Sequence, residues 1–145
     1  MIAIGCDHGA LELKETIKKH LEERNLEYKD FGCYDKTSCD YPDYATYVAQ
    51  AVNSGECEKG IVICTTGIGV FMTANKHKGI RCALLADTVS ARIAREQFDT
   101  NVMALGAAAI GKLVALEIVD VWLDTPFIDT EDNRRCIEKL MALEG

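Results

Sequence analysis

The chain has 145 residues, 48% of them hydrophobic, and a net charge of −7 from 16 Lys and Arg against 23 Asp and Glu. That length supports one domain over residues 1–145 with a core that needs no disulfide or metal, while the acidic balance argues against nonspecific nucleic-acid binding, which draws its affinity from Lys and Arg displacing counterions. With no 18-residue apolar run, and no basic region or long apolar stretch at "MIAIGCDHG", neither a membrane span nor a signal peptide is expected, and the protein is placed in the cytoplasm.

The first predicted strand is "MIAIGC", followed by a helical stripe at Leu13, Ile17 and Leu21. "LEYKDFG" is the second strand, and Pro42 is expected at the start of a helix carrying Ala45, Val48, Ala49 and Val52 on one face. "GIVIC" follows and runs into the turn "CTTGIG", then "IRCALLA", a stripe at Ala91, Ala94 and Phe98, and "NVMALG". A stripe at Ala115, Ile118, Val119 and Trp122 comes next, Pro126 is expected at another helix start, and a last helix spans about 130–143 with Ile137, Leu140 and Met141, capped by Asp129 or Thr130. "GIVIC" and "NVMALG" do not alternate, as befits strands buried on both faces of a parallel sheet. Five β-α units predict a three-layer α/β/α sandwich, a Rossmann-like five-stranded parallel sheet with an extra C-terminal helix.

Seven cysteines, at 6, 33, 39, 57, 64, 82 and 136, include no CxxC pair and are read as reduced thiols. His8, His20 and His77 are too dispersed for a metal-ligand set, so neither metal nor cofactor is expected. A small molecule or another protein is the expected partner.

In open α/β sheets, ligands bind outside the carboxyl ends of the strands near the point where strand order reverses. That rule selects Asp7 and His8 after the first strand, Cys64 and its glycine turn after the third, and Asp87 after the fourth. A cysteine phosphatase would need arginine six residues after the nucleophile, where Val70 stands, so that chemistry is excluded. A dinucleotide turn fits Gly67, Gly69 and Asp87, but Met72 replaces the third small residue. A third alternative, beside the dinucleotide turn, is an anion cradle: amides from Thr65 to Gly69, at a helix N-terminus, face an oxyanion and draw Cys64 toward the thiolate, suiting proton abstraction beside a carbonyl. Against this stands the ordinary role of a cysteine ending a buried strand, which is packing. Asp7 and His8 taken alone read as a helix cap and a satisfied side chain, and Tyr41, Cys6 and Cys82 read as core or edge.

The segments "IAIGCDHGALELK", "DYPDYA", "ICTTGIG", "ANKHKGIRCAL", "SARIARE", "DTNVMALGA" and "ALEIVDVWLDTPF", in this order and spacing, resemble the ribose-5-phosphate isomerase B family, which includes galactose-6-phosphate isomerase subunits. The resemblance covers nearly the whole chain. It implies aldose–ketose isomerisation in the pentose phosphate pathway, homodimers or homotetramers with sites between subunits, and catalysis by Cys64 and Thr66. It also implies sugar contacts from Asp7, His8 and Tyr41, an oxyanion cradle at Thr65, Gly67, Ile68 and Gly69, and a phosphate contact from Arg135. The chain departs from the family pattern at Gln97 and Phe98, where a ring-opening histidine and an asparagine are usual, and at Ala108 and Glu131, where arginines are usual. Ribose 5-phosphate is the default substrate. The departures leave three alternatives: an isomerase of another sugar or a short-chain sugar phosphate, such as a tetrose 4-phosphate that cannot close a furanose ring; one subunit of a hetero-oligomeric galactose-6-phosphate isomerase that needs a paralogous partner; or a non-catalytic sugar-binding or assembly module.

Overall fold

A computed structural model describes residues 1–145. Strands β1 (Ile2–Cys6), β2 (Tyr28–Asp30), β3 (Lys59–Cys64), β4 (Cys82–Leu84) and β5 (Val102–Gly106) form one sheet, ordered β2-β1-β3-β5-β4 and parallel throughout. Helices α1 (Leu11–Glu23), α2 (Tyr41–Asn53), α3 (Ile68–Asn75), α4 (Thr88–Glu96) and α5 (Lys112–Asp124) follow the strands in turn, and α6 (Glu131–Ala142) closes the chain. The expected α/β/α sandwich is therefore the observed fold. No helix is long and apolar enough to cross a membrane.

Strands β1 and β5 are buried from end to end and β3 is buried beyond its first residue, Lys59, which is why their sequences do not alternate. Their two faces feed separate cores. Ile4, Ile61, Ile63, Met103 and Leu105 pack with Leu13, Ile17 and Leu21 of α1, Ala91 and Ala94 of α4 and Ala115, Ile118, Val119 and Trp122 of α5. Ala3, Val62, Cys64 and Ala104 pack on the opposite face with Ala45, Val48 and Ala49 of α2 and Val70 and Ala74 of α3. Cys64 thus points into the α2–α3 layer. Gly60 lets α2 approach β3, since a Cβ there would stand 2.5 Å from Val48 Cγ1.

Three sequence expectations are corrected. Phe98 does not continue the Ala91–Ala94 stripe: α4 ends at Glu96, and the phenyl ring is 42% exposed in the following loop. Pro126 starts no helix but lies between α5 and α6, whereas Pro42 does fall in the first turn of α2. The second and fourth strands are only three residues long, because each lies at a sheet edge and pairs with one neighbour. Of the two expected caps for α6, Thr130 is the one observed, its hydroxyl accepting the Asn133 N–H at 3.1 Å.

Candidate active site

Strand order reverses between β1 and β3, and the two strands deliver their chain ends side by side: the Asp7 N–H donates to Ile63 O at 3.2 Å. Past β1 the chain makes a single 3-10 turn, His8–Ala10, capped by Asp7, whose Oδ1 accepts the Gly9 N–H at 3.0 Å. Past β3, Cys64 is the buried floor, only 5% exposed, beneath an exposed Thr65–Thr66 pair. Gly67 then turns at φ +79° to start α3. Its N–H donates to Cys64 Sγ at 3.1 Å, and the Ile68 N–H donates to Thr66 Oγ1 at 3.2 Å. The amides of Thr65, Thr66, Gly69 and Val70 have no acceptor within the chain. Such a group of N–H donors at a helix N-terminus is matched to an oxyanion.

The loop after β5 clamps this turn from the side, with the Ala107 N–H on Cys64 O and the Ala108 N–H on Thr65 O, both at 2.9 Å. Two glycines allow the close fit around it. A Cβ on Gly9 would lie 2.4 Å from Thr65 Oγ1, and one on Gly69 would lie 2.7 Å from the Tyr41 ring. Tyr41, the first residue of α2, therefore roofs the cradle. His8 is fixed from the loop before α2: its Nδ1 accepts the Cys39 N–H at 3.2 Å, with Cys39 Sγ 3.8 Å away.

The expected residues thus divide into two groups. Asp7, His8, Tyr41, Cys64, Thr65, Thr66, Gly67, Ile68, Gly69 and Ala108 meet at the carboxyl end of the sheet. Gln97, Phe98, Glu131 and Arg135 do not join them within one chain. Phe98 O accepts from Arg81 Nε at 3.0 Å, just before β4 begins, and the Ile128 N–H ties the α6 approach to Glu96 O at 2.9 Å, so this group lies toward the amino ends of the strands. Arg135 there is exposed and pairs with Asp132 at 2.9 Å. Asp87 is a helix cap: it accepts the Ser90 N–H at 2.6 Å, and this bond, with the Ser90 hydroxyl, holds its carboxyl below the ordinary carboxylate value. No group of three or more His, Cys, Asp or Glu side chains is disposed to hold a metal ion.

Two functional contributions were not legible in the sequence. Cys39 acts on His8 through its backbone N–H, which any residue but proline supplies. Gly9 matters because of what lies across from it, and only the tertiary fold shows that.

Residues 2–140 match the Ribose/Galactose Isomerase family. The chain belongs to that family. It is 42% identical over 143 residues to ribose-5-phosphate isomerase B of Escherichia coli, covering 99% of this chain and 95% of that protein. It is 44% identical over 128 residues to D-erythrulose-4-phosphate isomerase of Pectobacterium atrosepticum, covering 87% and 84% respectively. The structure of Clostridium thermocellum ribose-5-phosphate isomerase B superposes with a TM-score of 0.97 at 44% identity, over 99% of this chain and 96% of that one. The chain is accordingly an aldose–ketose isomerase that acts on a sugar phosphate.

Proposed function

We propose that this member of the family interconverts an aldose phosphate and its ketose, with ribose 5-phosphate and ribulose 5-phosphate as the reference pair, through an enediolate formed over the Cys64 turn. One arrangement carries the proposal: the Gly67 N–H aimed at Cys64 Sγ from 3.1 Å, beside turn amides with no acceptor of their own. Cys64, as thiolate, takes the proton from C2 of the open-chain aldose. The C–H electron pair becomes the C1–C2 double bond, and O1 takes the charge. The thiol then returns the proton to C1 while the O2 hydroxyl proton passes to O1, leaving a carbonyl at C2. Hydrogen has moved by one carbon, and no atom or electron is lost.

The cradle amides act where the negative charge develops, in a place fixed before the reaction starts, an arrangement that is usually the largest single contribution to catalysis. Thr66 Oγ1 already accepts the Ile68 N–H, so its own hydroxyl hydrogen remains available to the enediolate oxygens. Asp7, His8 and Tyr41 orient the sugar hydroxyls. The names of the relatives support a phosphorylated substrate of four to six carbons.

The active assembly contains at least a second copy of the chain. Arg135 stands where the family resemblance implies a phosphate-binding arginine, and it lies at the opposite end of its own chain from Cys64, so in this reading a partner copy supplies it. The decisive experiment incubates the purified protein with ribose 5-phosphate in D2O and follows deuterium at the carbons beside the carbonyl. Exchange is expected, and Cys64→Ser should reduce it by about a hundredfold to ten-thousandfold, the usual contribution of a general base, with substrate binding retained. An absence of exchange in the unaltered protein, or an unaffected rate in the serine variant, overturns the mechanism.

A further inference from the structure

A sugar phosphate that rests as a closed ring presents no carbonyl, and the carbon beside it is not acidic until the ring opens. Opening breaks the bond between C1 and the ring oxygen. The O1 hydroxyl proton must leave, a proton must reach the ring oxygen, and the carbonyl forms at C1 without any change in oxidation state. A side chain that moves protons both ways near neutral pH is ordinarily imidazole.

The chain has three imidazoles, and each has a partner. His20 Nε2 lies 2.7 Å from Asp120 Oδ1, an oxygen that also accepts from Arg24, on the seam between α1 and α5. His77 Nε2 lies 3.0 Å from Thr46 Oγ1, beyond the C-terminal end of α3. Only His8 stands at the carboxyl end of the sheet with Cys64. Because its Nδ1 accepts the Cys39 N–H, the proton of the neutral ring sits on Nε2. His8 therefore offers the sugar a neutral donor. To take up a proton it would have to turn Nδ1–H against the Cys39 N–H and lose its anchor. A second copy of the chain brings the same three imidazoles, its His20 held by Asp120 and its His77 by Thr46 as in the first.

We infer that this site isomerises the open-chain sugar phosphate and does not catalyse ring opening, so that its preferred substrates are sugar phosphates that stay acyclic. Tetrose 4-phosphates are the natural class, since esterification of O4 removes the hydroxyl that a five-membered ring requires. The inference rests on the isomerase reading above and extends it to the form and length of the sugar.

The test sets enzyme in excess over a fixed amount of ribose 5-phosphate and raises the enzyme concentration stepwise. The rate of ketose formation should level off at that of spontaneous ring opening, while conversion of erythrose 4-phosphate keeps climbing with enzyme, at a kcat/KM about tenfold or more higher. A ribose rate that continues to rise with enzyme beyond spontaneous opening, with tetrose turnover intact, overturns this inference and leaves the isomerase reading standing. Neither sugar being converted nor exchanging deuterium removes both. A second arm uses His8→Asn, whose side-chain oxygen can replace Nδ1 as acceptor for Cys39 while the Nε2 donor is lost. Equal losses of kcat/KM on both sugars are expected. A loss confined to ribose 5-phosphate would make His8 the ring-opening group and sink the inference.

Discussion

Position 67 combines two demands that no side chain meets together. Its φ of +79° is left-handed, and a Cβ would stand 2.7 Å from Leu84 Cδ1 and 2.9 Å from the Gly106 nitrogen, so backbone rather than a flexible side chain obstructs it. Gly67→Ala should cost about 1–2 kcal/mol from the left-handed conformation alone, with the clash added. Since the Gly67 N–H is the donor to Cys64 Sγ, any relief of that clash moves the donor away. Both melting temperature and kcat are expected to fall. Gly69→Ala provides the contrast, because its Cβ would meet only the half-exposed Tyr41 ring, which can swing aside. There KM should rise with little change in melting temperature. Equal stability losses in the two variants, with unchanged kinetics, would mark the turn as structural only. At this scale the sequence disclosed Asp7, His8 and Cys64, because chemistry-bearing side chains follow directly on recognisable strands. It concealed the Cys39 amide, because a backbone donor leaves no mark in residue type.

Among the elements, β2 is the least supported by its own sequence, and a polar cluster secures it. Asp30, at its end, receives Lys14 Nζ and Lys18 Nζ from α1, both at 2.8 Å, and the Gly32 N–H at 2.9 Å. Lys14 is fully buried and also donates to Cys33 O. The cluster ties the β2 edge to α1 and orders the start of the loop that ends at Cys39 and Tyr41. This explains why the strands were legible to different degrees. β1, β3 and β5 announce themselves as apolar runs, whereas β2 depends on ion pairs between residues 12 and 16 positions apart, which no local pattern reveals. Burial pushes the Asp30 carboxyl up, but the hydrogen bonds from Lys14, Lys18 and Gly32 outweigh it and hold the pKa below the ordinary value. A lowered carboxylate pKa contributes stability above the unfolded value, about 4, and that contribution fades as pH falls through the folded value. Asp30→Asn leaves the buried Lys14 ammonium without its carboxylate and should cost about 3–5 kcal/mol near pH 7. Urea unfolding at neutral and strongly acid pH checks this: the gap between variant and parent should narrow in acid, and a pH-independent gap would contradict the ionic account.

The whole molecule has a finished end and an unfinished one. The carboxyl end holds Cys64 and its cradle, whereas α6 buries none of its residues against its own chain, and Leu143 just beyond it is 82% exposed. Between α6, α4 and the β4 edge runs a groove of about 840 Å³, lined by Ile80, Leu84, Ile93, Phe98, Leu140 and Met141. A second copy whose carboxyl end covers this surface would remove apolar area from water and bring one chain's Arg135 toward the other's Cys64, and the two-fold repeat of that contact would complete the second site in the same way. If sites are shared in this way, two defective chains can complement each other. Cys64→Ser and Arg135→Ala should each be nearly inactive as pure proteins. Mixed and allowed to exchange subunits, half of the dimers contain one chain of each kind. In those dimers one site takes both defects and the other takes an intact Cys64 from one chain and an intact Arg135 from its partner. Activity should then recover to about a quarter of the parent value, the product of those two halves. The mixture is assayed after exchange has been verified by mass. A mixture that stays inactive despite complete exchange would show that Cys64 and Arg135 do not work across the interface, and full activity in Arg135→Ala alone would remove that arginine from the site.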